Sequence, residues 1–275
     1  MDYRSIIFKV ENRVATATIN RPEAANTINV DAKDELLSII KEVSRNDDIG
    51  VLVLTGAGRI FCAGGDFRPS KVRKGEVSGE TAEDMQPAYD EVRKGKILPD
   101  VIELSMALQR LEKPTIAMIN GPVIGHGFDV ALCCDVRTGS PASRFTVGFT
   151  NMGLPPVAGG VWLLPRIVGL GRALELILRG GWFSAEEAYR IGLLNHLFPA
   201  DQLEKETMAL AAEIAAGPPI AQRLAKQLIY KSQLVDFETS LAFATSCAFI
   251  ASESQDFKEG VQALAEKRAP KFKGR

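Results

Sequence analysis

The pattern of hydrophobic and polar positions predicts alternating strands and helices over the first two thirds of the chain. Three apolar segments have the pattern of strands, at residues 13–19, 51–54 and 115–119. Residues 30–44 place apolar side chains on one helical face behind a possible cap at Asn29, and residues 99–111 predict another helix. Strands that alternate with helices in this way predict an α/β fold.

The strand pattern disappears after residue 200. Four helical patterns follow, over residues 201–216, 219–232, 236–252 and 256–267. Asp256 followed by Glu259 resembles a capping box at the start of the last helix. We therefore predict two parts, an α/β core over residues 1–199 and a helical region over residues 200–275.

One apolar stripe in the helical region is too broad for a single buried face. It consists of Leu241, Phe243, Cys247 and Phe249. Two interpretations remain open: the stripe packs into the core of its own chain, or it forms a subunit interface.

Composition narrows the range of partners. The chain has 275 residues, 46% of them hydrophobic, and a net charge of −1, so we expect no nucleic-acid or anionic-membrane partner. The four cysteines and two histidines lack the spacing of metal ligands, so we expect no metal site. With no apolar run of membrane-spanning length and no visible secretory signal, we predict a cytoplasmic protein.

Two glycine-rich turns are the main candidates for chemistry. Residues 61–66 read FCAGGD, and residues 120–127 read NGPVIGHG between a predicted strand and a predicted helix. Unpaired backbone N–H groups at a helix start can hold a phosphate, a carboxylate or the oxyanion of a reacting carbonyl. The alternative is a tight turn without a ligand.

Three motifs in order resemble the crotonase (enoyl-CoA hydratase/isomerase) superfamily: FCAGGDF, NGPVIGHGFDVALCCD and GLPPVAGGVWLLPRIVG. The resemblance runs from INRPEAANTIN near the start to AEKRAPKF near the end. It implies an α/β fold, a crotonase-like spiral of ββα repeats with an α-helical C-terminal trimerisation region, and a homotrimer or homohexamer. It also implies an acyl-CoA substrate and no separate cofactor.

The resemblance implies roles for a few residues around the thioester. The backbone N–H groups of Gly65 and His126 match the two donors to the thioester oxygen. Many relatives have glycine where this chain has His126, so its ring could line the acyl pocket, act as acid or base, or fill space. Asp129 matches the first of two family glutamates. Phe149 stands at the second, and Val157 stands at a third acid position used by some isomerases.

Further positions are expected to bind the substrate or to replace the missing acid. The resemblance places substrate or coenzyme A contacts at Ala24, Ala63, Asp66, Arg68, Phe149, Phe257 and Lys267, the last two commonly serving a neighbouring subunit. Residues 68–103 offer acid replacements without a basis for choosing among Asp84, Tyr89, Asp90, Glu91 and Glu103.

The leading functional hypothesis is an acyl-CoA lyase or isomerase that forms an enolate, with Asp129 as acid and base. Decarboxylation of a malonyl-type thioester and thioester hydrolysis are alternatives within the same superfamily. A fourth possibility is an acyl-CoA-binding relative without catalysis.

Overall fold

The computed structural model describes residues 3–66, 93 and 98–275 of the chain. The described strands are β1 (Ile6–Glu11), β2 (Val14–Ile19), β3 (Val51–Gly56), β4 (Thr115–Ile119), β5 (Val123–Ile124), β6 (Val136–Gly139), β7 (Arg144–Thr146), β8 (Phe183–Ser184) and β9 (His196–Leu197). The main sheet has the order β1-β2-β3-β4-β6-β9, and it is parallel except for β1. A second sheet has the order β5-β7-β8.

The described helices cover the sheets and then form the C-terminal region. They are α1 (Val30–Arg45), α2 (Leu98–Arg110), α3 (His126–Cys133), α4 (Gly160–Val168), α5 (Leu170–Arg179), α6 (Ala185–Arg190), α7 (Leu203–Ala215), α8 (Pro219–Ser232), α9 (Phe237–Ser252) and α10 (Gln255–Glu266). The predicted cap of α1 is confirmed, because Asn29 Oδ1 accepts a hydrogen bond of 2.9 Å from Ala32 N–H.

The centre of the main sheet is buried on both faces. Every residue of β3 and β4 is buried, which explains why both strands read as continuous apolar runs. Alternate side chains of β3 point to opposite faces of the sheet. Val51 and Val53 pack in a cluster with residues of α7. Leu52 and Leu54 belong to the larger core with residues of α1, α2 and α3.

A ββα unit recurs along the core. The strand β4 is followed by the short strand β5 and then by α3, and β2 and β3 are each followed by a short extended segment in the second layer. Isolated bridges join Ile28 to Gly65 and Cys62 to Val123, so the short segments of successive units pair side by side. This stacking brings the two glycine-rich turns together.

The structure corrects some predictions from the sequence. The strands at β2, β3 and β4 are confirmed, whereas β1 and the strands β5 to β9 were not predicted. The capping box at Asp256 is wrong, because α10 begins after Ser254, whose Oγ accepts a hydrogen bond of 3.0 Å from Phe257 N–H. The Asp256 carboxylate instead accepts hydrogen bonds from the backbone N–H groups of Lys273 and Gly274.

The C-terminal helices differ in how they meet the core. An ion pair of 2.7 Å joins Lys226 Nζ to Asp135 Oδ2, and the Tyr230 hydroxyl donates to Asp135 Oδ1 at 2.9 Å. These contacts attach α8 to the segment that follows α3. By contrast, Leu241, Phe243 and Phe249 of α9 are 52%, 42% and 71% exposed. Packing of this stripe into the core of its own chain is therefore wrong.

No helix among the described residues combines the length and the apolar character needed to cross a bilayer.

Candidate active site

The first glycine-rich turn is held in the second layer by the segment that follows β2. Ile28 N–H donates to Gly64 O at 2.8 Å, and Asp66 N–H donates to Ile28 O at 3.0 Å. Because neighbouring groups of an extended chain point in opposite directions, the N–H of Gly65 points away from Ile28. Within the described part of the chain, Gly65 N–H makes no backbone hydrogen bond.

The second turn leads into α3 through backbone angles that only glycine readily adopts. Gly125 has φ of +53° and ψ of −120°, a conformation that a Cβ would strain. His126 is the first residue of α3, so its N–H has no partner within the helix, and none of the described backbone carbonyls accepts it. The positive end of the helix dipole lies at this N–H.

The two turns are in direct contact. A Cβ added to Gly64 would lie 3.0 Å from Ile124 O and 3.4 Å from His126 N. The bridge from Cys62 to Val123 holds the two segments in register. The unpaired N–H groups of Gly65 and His126 therefore belong to neighbouring segments of one layer.

A cavity of about 330 Å³ opens beside these turns. Its described lining consists of Ala63, Gly64, Gly65, Ile124, Gly125, His126, Thr146, Gly148, Phe149, Asn151, Met152 and Trp182. Both predicted donors, Gly65 and His126, are part of this lining, and so are Ala63 and Phe149.

Asp129 lies on the first turn of α3 and is completely buried. Its Oδ2 accepts a hydrogen bond of 3.2 Å from Ala158 N–H, just before α4. Among the described residues its Oδ1 has no hydrogen-bond partner, and a Cβ at Gly160 would overlap this oxygen. Burial raises the pKa of Asp129 to about 7, and the backbone N–H groups of Ala158 and Gly160 oppose that shift.

The His126 ring is buried as well, with 1% of the residue exposed. Neither ring nitrogen has a hydrogen-bond partner within the described residues. Burial lowers the pKa of His126 to about 4, although the nearby Val101 carbonyl favours the protonated ring. The imidazole is therefore neutral at neutral pH.

Apolar side chains stand at the two further positions where the resemblance implies an acid. Phe149 is 1% exposed, and a Cβ at Gly125 would contact its ring at 4.0 Å. Val157 is a partly buried residue that packs against the hydrophobic core. Asp129 thus stands at the one acid position of the three that retains a carboxyl group.

The predicted coenzyme A contacts fall into two groups. Ala63 N–H donates to Ala25 O at 3.1 Å, next to Ala24, and Asp66 forms an ion pair of 3.4 Å with Arg21. This first group lies around the FCAGGD turn, and the pairing of Arg21 with Asp66 was not predicted.

The second group lies on α10. Phe257 is 52% exposed, and Lys267 follows α10 in the left-handed conformation. Neither residue lines the cavity as far as the described residues define it.

Most candidates for a replacement acid cannot be placed. Arg68, a predicted coenzyme A contact, and the acid candidates Asp84, Tyr89, Asp90 and Glu91 lie outside the described residues. Glu103 is described, and its half-exposed carboxylate forms an ion pair of 3.2 Å with Lys33. In the described ranges no group of three histidine, cysteine or acidic side chains could hold a metal ion.

The stacked ββα units define an α/β protein with two paired glycine-rich turns, and comparison with known sequences identifies the family. The family model described as enoyl-CoA hydratase/isomerase matches residues 9–275. The chain belongs to this family, within the crotonase superfamily.

Similar proteins match essentially the whole chain. The chain is 34% identical to the 1,2-epoxyphenylacetyl-CoA isomerase of Escherichia coli, with 98% of both chains covered. It is also 34% identical to the short-chain-enoyl-CoA hydratase of Clostridium acetobutylicum, with coverage of 98% of this chain and 97% of that one. An enoyl-CoA hydratase structure from Bacillus anthracis superposes with a TM-score of 0.87 at 32% identity, covering 99% of this chain and 100% of that chain. The predicted crotonase fold is confirmed.

Proposed function

We propose that this enzyme moves a proton on an acyl-CoA thioester by way of an enolate, and that it acts as a double-bond isomerase. The observation that carries the proposal is the pair of N–H groups at Gly65 and His126, which have no partner among the described residues. His126 lies one helical turn before the buried carboxyl of Asp129. The Gly65 and His126 N–H groups would bind the thioester oxygen.

The two N–H groups supply stabilisation where negative charge develops. Proton removal beside a thioester carbonyl moves charge onto the carbonyl oxygen. Donors already fixed in place stabilise that charge without reorganising, and loss of one such donor costs about 3–4 kcal/mol of barrier. Both donors come from backbone that glycines hold in position, at Gly64 and Gly125.

Asp129 suits the proton transfer because its pKa is close to neutrality. An acid–base group works best when its pKa lies near the working pH, since it can then both take and return a proton. With a pKa of about 7 set by burial, Asp129 can accept a proton from one carbon and return it to another. The bonding electrons pass through the enolate, so atoms and charge balance without a second group.

In this mechanism His126 contributes its backbone N–H as a donor, and its ring takes no part in proton transfer. A ring with a pKa of about 4 is a weak base at neutral pH. We therefore assign the acid–base role to Asp129 alone and keep the His126 ring as part of the pocket.

Phe149 argues against hydration as the main reaction. The resemblance assigns two glutamates to the holding and activation of water, and the second is replaced by this buried aromatic ring. Isomerisation requires only one proton carrier. Introducing Phe149→Glu is expected to give at best weak hydration of crotonyl-CoA, because apolar neighbours raise the pKa of a buried glutamate.

Decarboxylation of a malonyl-type thioester is the second candidate. It also forms an enolate and needs the two donors but no strong base. The apolar ring of Phe149 in the cavity lining favours it, because an apolar surface destabilises a carboxylate and promotes its loss as carbon dioxide.

The test is incubation of the protein with a panel of acyl-CoA thioesters, in water and in deuterium oxide, followed by mass spectrometry. Isomerisation predicts deuterium uptake in deuterium oxide and no change of mass in water. Gain of one water means hydration, loss of carbon dioxide means decarboxylation, and free coenzyme A means hydrolysis. Tight binding of thioesters without any turnover would favour a non-catalytic relative.

We further propose that the acyl-CoA site is completed by assembly. In this scheme residues 1–199 form the catalytic core and residues 200–275 the oligomerisation region of a homotrimer or homohexamer. Ala24, Ala63, Asp66 and Arg68 would contact coenzyme A from one subunit, with Phe257 and Lys267 closing over a neighbour's nucleotide. No cofactor other than the coenzyme A of the substrate is required by this chemistry.

A further inference from the structure

The side chain of Cys62 lies between the two turns that carry the proposed oxyanion donors. It is completely buried. Its Sγ accepts a hydrogen bond from Gly64 N–H at 3.4 Å and also lies 3.7 Å from Gly64 O. Gly64 directly precedes Gly65, so the sulfur contacts the residue next to the first donor.

The same side chain contacts the start of α3. A Cβ added to Gly127 would lie 2.8 Å from Cys62 Sγ and 2.6 Å from Cys62 O. The hydrogen of Gly127 is therefore the largest group that fits against Cys62 without a shift of the backbone. Gly127 directly follows His126, so the sulfur also contacts the residue next to the second donor.

We infer that Cys62 is a positioning residue whose sulfur sets the separation of Gly65 N–H and His126 N–H. The inference rests on the proposed function, in which these two groups bind one oxygen atom. Two donors can share an oxygen only if their spacing is fixed, and a small error in catalytic geometry lowers the rate strongly. The sulfur fixes the spacing by hydrogen bonding on one side and by packing on the other.

A chemical role for the thiol is a different hypothesis, and the structure argues against it. Burial raises the pKa of Cys62 to about 12, opposed by Gly64 N–H and by the charge of Arg21. The thiolate is the nucleophilic form, so a protonated, buried thiol is inert. Its value lies in its size and in its weak acceptor character.

Three variants separate positioning from general packing. Cys62→Ala removes the sulfur from both contacts and leaves the Cβ and carbonyl of residue 62 against Gly127. Cys62→Ser keeps an acceptor for Gly64 N–H but leaves a gap toward Gly127. Cys134→Ala is the matched control, because Cys134 is buried to the same degree and its Sγ contacts Val130 O at 3.6 Å, away from both turns.

The measurement compares acetoacetyl-CoA, whose bound enolate absorbs in the near ultraviolet, with coenzyme A, which has no thioester oxygen. We expect Cys62→Ala to lower enolate formation by about 10-fold, less than the loss of a whole donor, with coenzyme A affinity unchanged. Cys62→Ser should recover part of the signal, and Cys134→Ala should match the wild type with both ligands. Equal enolate signals in Cys62→Ala and Cys134→Ala would overturn the inference.

Crystal structures of the two alanine variants test the inference without a ligand. The separation of Gly65 N from His126 N should change in Cys62→Ala and stay the same in Cys134→Ala. An unchanged separation in Cys62→Ala overturns the positioning role. If the wild type forms no enolate from acetoacetyl-CoA, the proposed function fails, and these structures still decide what Cys62 does.

Discussion

Folded chains usually bury apolar groups and expose polar ones. The first turn of α3 departs from this by burying polar atoms, and the C-terminal helices depart from it by exposing apolar side chains. On α3, His126 and Asp129 are buried with polar atoms that have no partner among the described residues. On α9 and α10, large apolar side chains face outward, with Phe237, Phe249 and Leu264 at 79%, 71% and 82% exposure.

Each arrangement costs free energy in an isolated chain, for different reasons. A buried polar atom without a partner costs about 1–3 kcal/mol. An exposed apolar side chain forgoes roughly 25 cal/mol for each Å² left in water. We infer that the first cost is reduced by the bound acyl-CoA substrate and the second by another copy of the protein, so the two regions mark two kinds of contact.

The largest expected effect concerns the exposed apolar side chains of the C-terminal helices. The wild-type protein should sediment as a trimer or hexamer, and the double variant Leu241→Asp, Phe249→Asp should sediment as a monomer, because charge in an apolar interface is costly. Tyr189→Asp is the control, since Tyr189 is as exposed as Leu241, at 52%, but lies on α6. A wild-type monomer that is active at micromolar concentration in analytical ultracentrifugation contradicts the interface.

The next effect concerns catalysis by α3. Asp129→Asn keeps the size of the side chain but cannot carry the proton, so turnover should fall by about 10²–10⁴-fold. Coenzyme A affinity should be nearly unchanged in a direct binding measurement. If Asp129 acted only as a partner of the α4 dipole, its loss would cost about 0.3–1 kcal/mol of stability and turnover would remain at the wild-type rate.

The raised pKa of Asp129 predicts an unusual dependence of stability on pH. The folded pKa of about 7 exceeds the ordinary value of 3.8, so between these values the native state holds a proton that the unfolded state has lost. The free energy of unfolding should therefore fall as pH rises through this range, by at most about 1.4 kcal/mol per pH unit from this group.

Asp129→Asn removes that dependence, which denaturant titrations at several pH values can measure. The variant and the wild type should be similar near pH 4, and the variant should be more stable above pH 7 by about 4 kcal/mol at most. Parallel curves for the two proteins would show that the pKa of Asp129 is not raised in the native state.

The smallest expected effect is at the start of α10. Ser254→Ala removes the hydroxyl that accepts Phe257 N–H and should lower the free energy of unfolding by about 1 kcal/mol. Ser252→Ala is the control, because its hydroxyl donates to Phe249 O within α9 and caps no helix start. Equal losses from both substitutions would contradict the observed cap.

Sequence patterns predicted the buried strands of the main sheet and missed the short strands and the largely exposed strand β1, for physical reasons. The runs at β3 and β4 are apolar because both faces are buried, so the local sequence is enough to predict buried strands there. The strand β9 has two residues, His196 and Leu197, and is stabilised by its pairing with β6. Such pairing depends on residues far away in the chain, which a local pattern does not contain.

The same limit applies to the site. The glycines of both turns indicated backbone donors because glycine permits unusual angles and close contacts. The contacts of Cys62 with Gly64 and Gly127 arise only when two repeats stack, so counting cysteines by their spacing could not find them. The cap of α10 was misplaced because Ser254 and Asp256 are both good capping residues and the sequence alone does not choose between them.

The anchoring of the FCAGGD turn on both sides has a consequence for the Gly65 amide. Ile28 fixes the turn from one side and Val123 fixes it from the other, and both attachments use residues of the turn up to Asp66. The chain that follows Asp66 can therefore vary in length and sequence without moving the Gly65 amide.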